Sequence, residues 1–227
     1  MRKIKFSRNF ASRQKGEEVV VDDLLASQLV RGNKVAKYVD LKEREEAQKK
    51  AEKEKRIEKM KEDLITPNQY RKEKLQPVIN EIVRIIDNGQ PCICRPNEIA
   101  TDAGHFFSTG SNLTLSLNLH NIHGQCRNSN GFKGGESLKY YKGLIRVYGK
   151  EYAEFCDQLQ QCEPLKLTVQ EMKEARKRLM EYRLELKKTI TKPLDKASRI
   201  LYRDKANDIA RIYPEKYSTF QVLKFKK

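Results

Sequence analysis

Residues 41–63, LKEREEAQKKAEKEKRIEKMKED, constrain this chain most. A stretch so densely charged cannot enter a core, so whatever packs must do so on either side of it. Alternating signs and strong helix formers favour a helix, with Glu45 and Lys49, and Glu52 and Arg56, placed for i,i+4 pairing. Leu41, Ala47, Ala51, Ile57 and Met60 make too thin a stripe for a coiled coil, which leaves a solvated helical arm. The 227 residues therefore divide into a basic N-terminal segment (1–40), the charged helical arm (41–63), a core domain (64–162) and a basic C-terminal helical region (163–227).

Within the core stretch, Thr66 and Pro67 supply an N-cap and first helical residue. Leu75, Val78, Ile79, Ile82, Val83 and Ile86 follow at helical spacing and predict a core-packed helix that ends at Gly89. From Pro91 the texture changes. The short apolar runs 103–107 and 113–119, separated by Gly110-Ser111-Asn112, predict a hairpin. Leu138, Tyr141, Leu144, Ile145 and Tyr148 then share one helical face. Farther on, Thr168 and Glu171 fit a capping box for a long helix with the seam Met172, Ala175, Leu179, Tyr182, Leu186 and Ile190. Pro193 stops it, and another helical segment spans 194–212.

The formal net charge of +16 makes polyanions the natural partners, because each Lys or Arg that meets a phosphate releases condensed counterions. More than half of that excess, +9, lies in 163–227. Lys173, Arg176, Lys177, Arg183, Lys187, Lys188, Arg199 and Arg203 are the expected phosphate contacts, a grip blind to sequence and suited to branched or single-strand-containing DNA. Tyr182, Tyr202, Tyr213, Tyr217 and Phe220, interleaved with them, are either core residues or platforms for unpaired bases. No apolar run approaches a spanning length, so no membrane partner is expected. The basic start lacks the apolar run of a signal peptide, and five scattered cysteines fit a reducing cytoplasm without structural disulfides. A homodimer through 41–63 or the Met172–Ile190 seam is an open alternative.

All three histidines, His105, His120 and His123, fall in one window with Asp102, Asn121, Cys126 and Asn130. Imidazole is the usual neutral-pH general base and a frequent metal ligand, so chemistry would live here, the alternative being polar loop packing. A His ending a first strand, an Asn after a second and another Asn opening the next helix is the order of ββα-metal, or HNH, nucleases. Such sites cleave phosphodiesters with one base and one divalent ion.

The stretches PCICRPNEIATDAGHFFSTG and LSLNLHNIHGQCRNSNGFKGGESLKYYKGLIRVYG resemble the NinG family of lambdoid phages, also called Rap, over about residues 65–150. AGHF, NIHGQC followed by Asn130, and YYKGLIRVYG carry the resemblance most specifically. It implies an α+β fold: a small ββα-metal (HNH-like) core of hairpin plus helix, flanked by long charged and amphipathic helices. It also implies a phage-encoded, structure-selective endonuclease of the bacterial cytoplasm that acts on Holliday junctions and D-loops.

By position in that resemblance, His105 is the base, Asn121 braces the hairpin, and Asn130 supplies an amide oxygen to one Mg²⁺ or Mn²⁺. Gly104 stands where many HNH sites carry a metal-binding carboxylate, as in the family's own GH pattern, so Asp102 is the substitute ligand. The family's paired CxxC knuckles are incomplete here: Cys92, Cys94 and Cys126 remain, with Ser129 in the fourth place. Structural zinc is not expected; a set of Cys92, Cys94, Cys126 and His123 is the surviving candidate. A non-catalytic branched-DNA-binding recombination mediator is the rival reading, and an RNA-associated protein rests on charge alone.

Overall fold

The computed structural model describes residues 1–34, 36–38, 48–57, 60, 64–110, 112–131 and 136–220. They form two compact units, Met1–Leu64 and Ile65–Lys227.

In the first unit, Arg2–Phe6 (β1) is the centre of a three-stranded antiparallel sheet between Glu18–Val21 (β2) and Ala36–Tyr38 (β3). The β1 residues RKIKF alternate, so Ile4 and Phe6 share the face that packs with Ala26, Leu29 and Ala36. Lys3 and Lys5 take the other face, and both meet Glu18. Asp23–Ser27 (α1) follows, capped by the side chain of Asp22. Residues 1–34 and 36–38 are thus folded, where the basic composition of 1–40 alone was legible. Of the charged arm, 48–57 is an exposed helix (α2); except for Met60, the remainder of 41–63 lies outside the described residues.

The second unit begins as its sequence dictates, with Thr66 and Gln69 forming a capping box on Pro67–Tyr70 (α3). A π-helical turn at Arg71–Leu75 leads into Gln76–Ile86 (α4), whose Val78, Ile79, Ile82, Val83 and Ile86 are buried. Gly89, at φ 72°, provides the left-handed exit. The capping box of Thr168 and Glu171 opens Val169–Thr189 (α8), which buries Met172, Ala175, Leu179, Tyr182 and Leu186 in the same cluster as α4. That seam is consumed inside the chain, so it is not a free dimer surface. Leu159 and Cys162 join the same cluster, so no packing boundary falls between 162 and 163. Lys196–Ala210 (α9), capped by Asp195, completes this core.

The hairpin pairs Asp102–His105 (β4) with Ile122–Gln125 (β5), Asp102 opposite Gln125 and His105 opposite Ile122. The expected second strand at 113–119 is instead a pair of 3₁₀ turns, Thr114–Leu117 and Leu119–Asn121. Asn112 and Asn118 account for the difference: their side chains accept from the backbone N–H of Leu115 and His120, giving the chain a local alternative to a ladder. Arg127–Asn130 (α5), Ser137–Tyr148 (α6) and Lys150–Gln158 (α7) follow. The buried face of α6 is Tyr140, Gly143, Leu144 and Tyr148, whereas the expected Leu138 is 67% exposed. Gly143 sets that rotation, because a Cβ there would come within 1.9 Å of the Ile93 carbonyl oxygen. The unit is α+β, mainly helical with one small antiparallel hairpin. No helix among the described residues is long and apolar enough to cross a membrane.

Candidate functional site

His105 ends β4 and is half-buried. Its Nε2 lies 2.9 Å from the Ser116 carbonyl oxygen, which can only accept, so that nitrogen carries the hydrogen. Burial pushes the imidazole pKa down, and the Ser116 bond opposes this only in part. The ring is thus neutral at pH 7, with Nδ1 as its lone-pair nitrogen. Gln76 Nε2, 3.4 Å away, meets a nitrogen already committed to donation.

Asn121 is fully buried and holds the loop beyond His105. Its Oδ1 accepts from Phe107 N at 2.9 Å, and its Nδ2 donates to the carbonyls of Phe107 and Leu115 at 3.0 and 3.2 Å. Arg71 reaches the same loop, with Nη1 3.1 Å from Ser116 Oγ and Nη2 2.9 Å from Asn68 Oδ1. Ser116 thereby links Arg71, through its hydroxyl, to His105, through its carbonyl. Arg71 carries no family motif, so sequence reasoning passed over it.

The residues expected around a metal ion do not share one face of β4. Strand alternation sends Ala103 and His105 to the α4 side and Asp102 and Gly104 to the other. Ala103 packs in the α4 cluster, while a Cβ on Gly104 would meet the Gln125 side chain. Asp102 is therefore on the opposite face from His105, and Asn130 is exposed at the end of α5. Among the described residues no three His, Cys, Asp or Glu side chains are placed to hold a metal ion. Asp102 and His105 therefore do not face one Mg²⁺ or Mn²⁺ together.

The knuckle positions Cys92, Cys94, Cys126 and Ser129 come together, and His123 does not join them. Cys92 Sγ and Cys126 Sγ lie 3.6 and 3.2 Å from Ser129 Oγ, and Gln125 Nε2 donates to Cys94 Sγ at 3.0 Å. The hydrogen bond between Cys92 and Cys94 lowers the Cys92 thiol and raises the Cys94 thiol. His123 is elsewhere, with Nδ1 3.0 Å from Tyr140 Oη and Nε2 3.2 Å from Tyr152 Oη, so the Cys92, Cys94, Cys126 and His123 set is not formed.

His120 and His123 belong to a buried polar chain. His120 Nε2 faces Asp204 Oδ1 at 2.9 Å and Ser218 O at 3.2 Å, and its Nδ1 meets Tyr152 Oη at 2.9 Å. Tyr140 Oη, beyond His123, donates to the Gly104 carbonyl at 2.9 Å. Burial lowers both imidazoles, that of His123 furthest, with Arg203 adding to the effect. These two histidines join β4 and β5 to α7, α9 and residue 218, which is the polar-packing reading rather than the catalytic one.

Two of the expected phosphate contacts are spent internally. Arg203 is fully buried against Asp87, which also accepts from Gly124 N at 2.7 Å, and Arg199 lies 3.7 Å from the same carboxylate and over the Tyr148 ring. Neither can face DNA, because both sit on the α9 stripe with Ala206 and Ala210 that enters the core. Arg183 and Lys187 both reach Glu81 at 2.6 Å, and Arg176 bonds the Lys74 carbonyl. Lys177 and Lys188 are exposed, and Lys173 is partly so. Of the aromatic residues, Tyr182 and Tyr213 are core; Tyr202, Tyr217 and Phe220 pack partly buried against the clusters.

The family described as Bacteriophage Lambda NinG protein matches residues 1–191, well beyond the 65–150 stretch whose motifs were legible. Protein ninG of Escherichia phage lambda is 35% identical over 89 residues, covering 38% of this chain and 44% of that protein. Protein ninG of Enterobacteria phage H19B is 32% identical over the same shares, and that of Escherichia phage 933W is 34% identical. The chain thus spans less than half the length of the curated relatives it matches. No solved structure matches. With its family match running from the N-terminal sheet through the hairpin and α8, this chain belongs to the NinG family of bacteriophage proteins.

Proposed function

We propose that this protein is a structure-selective DNA endonuclease acting on branched recombination intermediates, with His105 as its proton acceptor. The observation that carries the reading is a neutral imidazole at the end of β4, oriented by the Ser116 carbonyl and braced by Asn121. A water attacking a phosphodiester phosphorus must lose a proton as the sugar oxygen departs, and Nδ1 of such a ring can take it. The net charge of +16 supplies the attraction to DNA.

A second reading is favoured by one specific observation: Asp102 lies on the opposite face of β4 from His105. In this reading the protein binds branched DNA without cutting it. Four-way junctions and D-loops incubated with wild type or His105→Ala, with Mg²⁺ or Mn²⁺ supplied, separate the two. The nuclease reading expects nicking that falls by about 10²-fold or more in the variant while binding persists. Equal cutting by both proteins removes His105 as the base, and binding without nicking establishes the second reading.

A further inference from the structure

Where Arg71 reaches Ser116, an apolar cleft of about 400 Å³ opens to solvent. That volume lies within the range of roughly 300–1,000 Å³ usual for small-molecule sites. Leu113, Leu117, Leu165 and Leu167 wall it, and Arg71 and Lys166 also line it. Leu113 is 52% exposed at its lip. The described lining contains two cations and no carboxylate.

Arg71 differs in kind from three arginines farther along the chain. Arg183, Arg199 and Arg203 each lie within ion-pair distance of a carboxylate. The hydrogen-bond partners of Arg71 are neutral, Ser116 Oγ and Asn68 Oδ1, and among the described residues no carboxylate lies within ion-pair distance of it. A partly desolvated guanidinium held in a fixed orientation without a counter-charge is poised for an anion with several acceptor oxygens, and phosphate is the natural match. The apolar walls beside it require a ligand that joins such an anion to an uncharged body.

We propose that this cleft holds one unpaired nucleotide of a branched DNA, its phosphate on Arg71 and Lys166 and its base against the leucine walls. The inference rests on the DNA reading above and gives that reading a source of selectivity. Paired bases cannot enter a cleft, whereas a nucleotide at a branch point or bulge has no stacking partner to give up. The walls offer little hydrogen-bonding readout, so the preference is for unpaired state over base identity. Ser116 ties the cleft to His105, so a captured nucleotide would place a neighbouring phosphodiester toward the imidazole side.

The test is fluorescence anisotropy on the full chain without divalent ions, using a duplex with a central bulge and a fully paired duplex of the same length. A 2-aminopurine in the bulge reports the base environment. Wild type should prefer the bulged probe, and Arg71→Gln should cut that preference about tenfold while leaving duplex binding nearly unchanged. Leu113→Asp, at an exposed position that folding tolerates, should remove the preference and the 2-aminopurine change together. Equal affinity of wild type for both probes, or an unchanged preference in both variants, overturns the proposal. A nuclease reading that fails in the His105→Ala cleavage assay leaves this metal-free binding preference untouched, so the two failures are distinguishable.

Discussion

The two sides of the Ser116 and hairpin region treat charge in opposite ways. Toward α9, Asp87, Arg199 and Arg203 are buried together, and His120 and Asp204 are bonded to each other. Toward the cleft, Arg71 keeps neutral partners and His105 stays half-buried with Nδ1 as its lone-pair nitrogen. Compensated charge in a low-dielectric interior specifies how elements dock; uncompensated charge at a solvent edge remains available to a ligand. The contrast predicts that substitutions on the first side are read in stability and those on the second in binding.

The largest effect should come from Asp87→Ala. This one carboxylate faces Arg203 and Arg199 and accepts from Gly124 N, so its loss strands two buried guanidiniums and an N–H of β5. Breaking a buried pair from one side costs about 3–5 kcal/mol. Urea unfolding should lose that much, and a loss below about 1 kcal/mol would mean that water already reaches the pair.

The interior charges also mark where the sequence was legible. The helices α4 and α8 could be read in advance because their apolar residues recur at helical spacing behind a capping Thr. The burial of Arg199 and Arg203 could not be read from composition. The signal was positional: they share the α9 stripe with Ala206 and Ala210, and an Asp follows the apolar run of α4. Leu113, Leu115, Leu117 and Leu119 alternate with polar residues as a strand would, yet the flanking Asn side chains bend the segment into 3₁₀ turns. Of the candidate site, His105 and Asn121 were identifiable from their order, while the separation of Asp102 and the arrival of Arg71 depend on strand face and tertiary contact.

The next effect is a pH dependence from the buried histidines. His120 faces Asp204 and Arg203, and His123 faces Arg203, Arg199 and His120; burial lowers both, and it lowers His105 as well. In the unfolded chain an imidazole gains its proton near pH 6.5, and in the folded chain only at lower pH. Below about pH 6.5 the unfolded state therefore binds protons that the folded state refuses, and stability falls as pH falls. The slope is at most about 1.4 kcal/mol per pH unit for each histidine. Urea melts between about pH 7.5 and 5.5 should show this decline, and His120→Gln should make it shallower. A flat wild-type profile would mean that none of the three imidazoles is held below its unfolded value.

The smallest effect should follow Lys188→Ala on the outer face of α8. Lys188 is exposed, and among the described residues no carboxylate lies within ion-pair distance of it, unlike Arg183 and Lys187, which share Glu81. Removing an isolated surface charge should move stability by no more than about 0.5 kcal/mol. If this face touches DNA, log affinity plotted against log salt should lose about one unit of slope, equally for bulged and paired probes. That uniform loss would separate a sequence-neutral grip on α8 from the selective one expected of Arg71. A Lys188→Ala variant that weakened only the bulged probe would instead move the discriminating surface from the cleft to α8.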